Sequence, residues 1–206
     1  MKILALELST ARGSIAWRDK DCIEKDWPND RKNSGPFFES LETMVKTYGA
    51  PDVIVVGLGP GSYAGVRIAI SAAIGLQTAG HARLVGLPSI CALPCEARNY
   101  YAIGDARRQT FFLARIEDRT LAHELELCSE AELRTRLADR DSLAVLSSDQ
   151  LPQFDNVRSA YPTAAQLAQL AQDENRSFLW PPLQPMYLRE PHITMPKKAI
   201  PSVARA

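Results

Sequence analysis

The sequence carries no excess of charge: 24 Lys and Arg balance 24 Asp and Glu across 206 residues. Autonomous tight binding of nucleic acid needs a basic footprint, so that function class is excluded. Long apolar runs are also missing, and no segment approaches the length of a membrane span. The chain enters a strand-like run at Ile3–Leu6 without anything resembling a signal peptide, which leads us to expect a cytoplasmic protein without membrane contact. Histidine is scarce. His81, His123 and His192 lie far apart, and no His-Glu-x-x-His motif occurs, which removes the common routes to a zinc site. Cys22, Cys91, Cys95 and Cys128 follow neither a disulfide nor a zinc spacing, so they read as buried free thiols in a reducing compartment. No metal ligand is expected.

What the chain does have is an ordinary globular composition, 46% hydrophobic and 23% charged, with enough length for one sizeable core or two small domains. Its most informative stretch is Val53-Ile-Val-Val-Gly-Leu-Gly-Pro-Gly-Ser-Tyr-Ala-Gly-Val-Arg67. A β-branched run passes through a glycine-rich turn directly into a helix, a junction that can aim backbone N–H groups at an anion. The Lys-Ser/Thr of a P-loop is absent, however, and Ala79–Leu87 contains no acidic residue where a dinucleotide fold would need one. The stretch therefore reads as a packing junction, in which Gly59 and Gly61 supply turn geometry and Gly65 allows close approach. Should a nucleotide come near, Ser9, Thr10, Gly59, Gly61 and Ser62 are the candidates to face it. Gly61-Ser-Tyr-Ala-Gly65 is not a Gly-x-Ser-x-Gly nucleophile elbow, and no catalytic residue stands out.

Element by element, strands are expected at Ile3–Leu8, Ser14–Arg18 and Cys22–Trp27, then a helix at Pro36–Tyr48, a strand at Val53–Leu58, a helix at Ser62–Ala79 and a strand at Arg83–Leu87. A second series follows: strands Tyr101–Ala106, Thr110–Glu117 and Leu121–Leu127, a helix opened by the capping box Ser129-Glu-Ala-Glu132, a short strand Ser142–Ser147 and a helix Thr163–Gln172. Both halves thus follow a βββαβα order, the second weaker and shorter. The domains expected are 1–98 and a smaller 99–190, whose last helix can pack back on the first. Residues 191–206 hold three prolines and no acid, and read as a disordered basic tail.

The Ser62–Ala79 helix is apolar or small around roughly 260° of its circumference, whereas a surface helix needs a stripe of about 100°. One side must cover the sheet and the other must meet a neighbouring helix or another chain. Phe38, Leu41, Val45, Ile70 and Ile74 are the expected contact residues, with Arg67 at a polar edge.

Five ordered segments give the chain a family resemblance: Ile3-Leu-Ala-Leu-Glu-Leu-Ser-Thr10, the helix after Asn33-Ser34, Gly57–Arg67, Asp105-Ala-Arg-Arg-Gln109 and Pro185-Met-Tyr-Leu-Arg189. Together they resemble the TsaB (YeaZ) family, in the glycoprotease-like branch of the actin/Hsp70/sugar-kinase superfamily. The resemblance implies an actin-like (RNase H-like) α/β fold of duplicated mixed-sheet subdomains. It implies a role in forming threonylcarbamoyladenosine in tRNA, as the noncatalytic partner of a TsaD-like subunit, with a TsaE-like ATPase joining the pair. It also implies docking through the first two helices, homodimerisation when alone, tRNA contact only through the complex, and no cofactor of its own, ATP or ADP belonging to the partner interface. A nucleotide-binding ATPase or kinase-like enzyme of the same fold is the alternative. Two residues depart from the family pattern: Glu7 stands where Asp is usual, and Asn33 where His is usual. The extra methylene of Glu7 extends its side chain by about 1.5 Å, which counts against a phosphate or metal role there.

Overall fold

The computed structural model describes residues 1–29, 33–138 and 142–188. The first half forms β1 (Ile3–Glu7), β2 (Arg12–Arg18), β3 (Cys22–Pro28), α1 (Gly35–Tyr48), β4 (Val53–Gly57), α2 (Tyr63–Ala79) and β5 (Arg83–Leu87), followed by a 3-10 turn at Ser89–Ala92. The second half forms β6 (Tyr100–Asp105), β7 (Thr110–Glu117), β8 (Thr120–Leu121), β9 (Glu126–Ser129), α3 (Glu130–Ala138), β10 (Val145–Ser147), β11 (Val157–Ser159) and α4 (Ala164–Leu170).

The duplication is visible in strand pairing. The first sheet runs β3-β2-β1-β4-β5, and the second contains the same path as β9-β7-β6-β10-β11, with β8 sharing the β7 edge. In each, the β-hairpin pairs are antiparallel and the two crossover pairs parallel. Side-chain alternation along these strands separates three layers of core. Leu4, Leu6, Ile54 and Val56 point to the face covered by α1 and α2. Ile3, Ala5, Val53 and Val55 point the other way, into a core shared with α4 and with Ala102, Phe112 and Ala114 of the second sheet. Ile103, Phe111 and Leu113 pack with Leu133 of α3 on the far face. A strand buried on both faces needs apolar residues throughout, and Val53–Gly57 is buried at every position.

Two sequence expectations are corrected. Leu121–Leu127 is not one strand: β8 and β9 pair with different stretches of β7, and the chain between them leaves the edge because Leu121 and Leu125 turn into the inter-sheet core. The second half has an unexpected strand, β11, directly after β10 in the sheet, so its order is not a strict βββαβα. Beyond the named strands, Leu179 bridges to the first sheet at Gly86. The capping box is present as expected, with the Ser129 N–H donating to Glu132 Oε2 at 2.8 Å and the Glu132 N–H returning to Ser129 Oγ at 3.3 Å.

α4 belongs to the second half in sequence but packs on the first sheet, opposite α1 and α2. Its first turn is anchored there: Ala164 N–H donates to Ser14 Oγ and Ala165 N–H to Glu24 Oε1, each at 2.8 Å, while Thr163 caps Gln166. Arg189 and the expected tail lie outside the described residues. No helix among the described residues is long and apolar enough to cross a membrane.

Candidate functional site

Parallel strands that end together leave their carboxyl ends facing a common crevice, where open α/β sheets bind ligands. Here the ends of β1, β4, β6 and β10 border one cavity of about 690 Å³ between the sheets. Ser9 and Thr10 follow β1, Gly61 and Ser62 follow β4, Asp105, Arg107 and Arg108 lie at the β6–β7 turn, and Ser147 to Asp149 end β10. Four of the five expected loop residues therefore converge on it. Gly59 does not line it; its amide turns inward to Ser89 Oγ at 2.9 Å. Sequence reasoning missed Ser147 and Asp149, which carry no local motif, while Tyr187 reaches the cavity from the Pro185–Arg189 segment without having been named as a site residue.

The glycine-rich junction is closed from within. Ser62 N–H donates to the Ser9 carbonyl at 2.5 Å, and Val66 N–H to the Ser62 carbonyl at 3.0 Å. Ser62 Oγ caps α2 by accepting from Gly65 N–H at 3.3 Å. Pro60 has no N–H to offer. A Cβ at Gly61, where φ is +153°, would collide with the Ser9 carbonyl, and one at Gly65 with the Leu8 carbonyl. These glycines let the β1–β2 turn press directly against the start of α2. That arrangement fits a packing junction, with the Gly59 and Ser62 amides already engaged inside the chain.

Glu7 ends β1 but does not line the cavity. It is completely buried, its Oε1 accepts the Ser9 N–H at 2.7 Å, and its Oε2 has no hydrogen-bond partner. Burial pushes its pKa up; the Ser9 and Ser89 hydroxyls and the Ser9 amide act in the opposite, weaker sense. At the opposite rim, Arg107, Arg108 and Gln109 all have positive φ (67°, 54° and 58°), a conformation costly for residues with a Cβ. Asp105 holds this turn by accepting from the Arg107 N–H at 2.7 Å and its Nη1 at 3.2 Å. Asp149 in turn accepts from the Asp105 N–H at 2.8 Å.

The expected contact residues divide. Phe38 (49% exposed) and Ile74 (46%) stand out on α1 and α2, Arg67 is exposed, and Val45 is half-buried. Leu41 (8%) and Ile70 (6%) are packed within the chain's own core. The reason is rotational: Val66, Ala69, Ile70 and Ala73 form the sheet-facing stripe of α2, so Arg67, Ser71, Ile74 and Thr78 turn outward. The start of α2 adds an aromatic cluster. Arg67 Nη1 donates to the Tyr63 hydroxyl at 2.6 Å, and the Tyr63 and Tyr187 rings lie 5.3 Å apart. Among the described residues, no group of three His, Cys, Asp or Glu side chains gathers as a metal site would require.

Comparison with known proteins follows the same lines. Residues 38–132 match the TsaD family, described as tRNA N6-adenosine threonylcarbamoyltransferase. No curated protein matches the chain in sequence. Among solved structures, the fold is similar to that of an uncharacterized protein with similarity to peptidase YEAZ from Pseudomonas aeruginosa, at 21% identity and a TM-score of 0.71, covering 91% of this chain and 99% of that one. It is also similar to YeaZ from Pseudomonas aeruginosa, at 20% identity and a TM-score of 0.68, covering 84% of this chain and 91% of that one. The family match takes in both specific motifs, Gly57–Arg67 and Asp105–Gln109, and the duplicated two-sheet fold is the one shared with the YeaZ structures.

Proposed function

We propose that the chain is the accessory subunit of a TsaD-type enzyme in tRNA threonylcarbamoyladenosine formation, and that it docks through α1 and α2. One observation carries this reading: both helices cover the same face of the first sheet and still present large apolar side chains, Phe38 and Ile74, to solvent. The starts of both helices flank one shallow groove, lined by Ser34 and Phe37 on one side and Ser62, Ala64 and Ile68 on the other. Apolar anchors inside a polar rim are the usual carriers of binding energy at an interface. In this reading a TsaE-type ATPase joins the pair, tRNA is met only within the complex, and the same surface pairs two copies when the partner is absent. Co-purification with the cognate TsaD-type subunit tests it. Phe38→Asp with Ile74→Asp should abolish the complex while the chain stays folded; survival of the complex would sink the docking model.

The alternative, a nucleotide-binding ATPase or kinase-like enzyme, is favoured by the cavity at the strand ends. The closed Gly59–Ser62 junction counts against it, because the amide of Ser62 already serves the Ser9 carbonyl. Calorimetry with ATP and magnesium on the isolated chain separates the two readings: micromolar binding with turnover would favour the enzyme.

A further inference from the structure

Glu7 is a carboxyl group in a fully enclosed position where three segments meet. Its Oε1 holds the Ser9 N–H, at the start of the β1–β2 turn. Its Oε2 lies so close to Gly57, the last residue of β4, that a Cβ there would collide with it, and would stand 2.6 Å from Ser89 Oγ. Ser89 is tied in both directions to the glycine junction: its Oγ accepts from Gly59 N–H at 2.9 Å, and its own N–H donates to the Gly59 carbonyl at 2.7 Å. The groups facing Glu7 are Ser9 on the turn, Ser14 as its register partner on β2, Gly57 on β4 and Ser89 on the 3-10 turn. None of them is charged.

We propose that Glu7 is a positioning residue for α2: in its neutral form it clamps the β1–β2 turn to the β4–α2 junction and the Ser89 turn, and ionisation releases that clamp. The link to the helix is direct, because the Ser9 carbonyl beyond the clamp accepts the N–H of Ser62, the N-cap of α2. A neutral acid can donate from Oε2 to the remaining lone pair of Ser89 Oγ. A carboxylate there has lost its water and meets no cation. The clamp is internal to the chain, so its test does not involve the proposed partner.

The sign follows from linkage. A group bound more tightly to its proton in the closed state than in the open one favours closure below the usual glutamate value of 4.5, and loses that contribution as pH rises toward the closed-state value. Hydrogen exchange on the full chain, corrected for intrinsic rates, should show protection at Ser9 and Ser62 falling by up to about tenfold per pH unit across that window and then levelling. Glu7→Gln should remove this slope. Parallel slopes in both proteins would overturn the proposal. If the variant does not fold, carbon NMR of the Glu7 carboxyl in the unsubstituted chain decides. Its titration must lie above the ordinary glutamate range and coincide with shifts of the Ser9, Gly59 and Ser62 amides; an ordinary midpoint, or amides that do not follow it, overturns the clamp.

Discussion

Ser62 donates its backbone N–H to the Ser9 carbonyl at 2.5 Å, so the turn after β1 occupies the space in front of the α2 N-terminus. That contact joins two chain segments, the β1–β2 turn and the start of α2. The joint needs glycine for a steric reason, because backbone oxygen stands where the side chains of residues 61 and 65 would begin.

Gly61→Ala and Gly65→Ala should each destabilise the chain by at least about 1–3 kcal/mol, since the obstructing atoms are backbone carbonyls that cannot rotate away. Gly75 is the control. It lies inside α2 with open space around its missing Cβ, so Gly75→Ala should be neutral or stabilise by about 0.4–1 kcal/mol through the unfolded chain. Urea unfolding of the three variants checks the contrast; equal effects at 61 and 75 would contradict the joint.

On α2, Ile70 and Ile74 are one turn apart and have opposite roles. Ile70→Glu puts a carboxylate into the α1/α2 core and should cost at least about 3 kcal/mol, enough to unfold a marginal domain. Ile74→Glu alters an exposed position and should stay within about 0.5 kcal/mol of the parent. Denaturation midpoints of the two variants test this ordering, and only the second is informative in an association assay.

That pair also marks where sequence reading stops. The strand Val53–Gly57, the spacing of Phe37, Leu41 and Met44 on α1, and the Ser129–Glu132 box are local patterns, and each appears in the structure near its expected bounds. The orientation of α2 was not legible, because an apolar arc wider than one sheet face leaves the buried side undetermined. The cavity was half legible. Ser9, Thr10, Gly61 and Ser62 sit in recognisable turns, whereas Asp149, just beyond β10, reaches it only because strand ends converge. The direction of Glu7 depends on the absence of a side chain at Gly57, fifty residues away in the chain.

The cysteines should separate by burial. Cys91 lies in the inter-sheet core, and burial pushes its thiol up to about 12 against the weaker pull of Arg176 and Arg119. At about pH 8 it presents almost no thiolate and should not react with a soluble disulfide reagent until the chain unfolds. Cys22 is exposed on β3 and should react at once. Counting thiols labelled in the native and urea-unfolded chain, with mass-spectrometric assignment, checks the order; prompt labelling of Cys91 would contradict the core assignment.

The capping box at the start of α3 makes a prediction with a defined pH sign. Ser129 serves Glu132 twice, from its backbone N–H at 2.8 Å and its Oγ at 2.7 Å, and these bonds hold the Glu132 carboxyl below its ordinary 4.5, the backbone bond first. A depressed carboxylate stabilises the fold above the unfolded value and loses that contribution as pH falls through the folded one. Ser129→Ala removes the hydroxyl and its cap on the Glu132 N–H, and should cost roughly 1 kcal/mol at neutral pH. It should also move the Glu132 titration upward toward 4.5 without abolishing the shift, because the backbone N–H of residue 129 remains. Glu132→Gln should instead flatten the acid-side loss while keeping the Ser129 cap on the helix. Carboxyl NMR titration paired with urea unfolding at acidic and neutral pH distinguishes these outcomes; a Ser129→Ala variant whose Glu132 titrates unchanged would mean that the hydroxyl contributes nothing to the carboxylate.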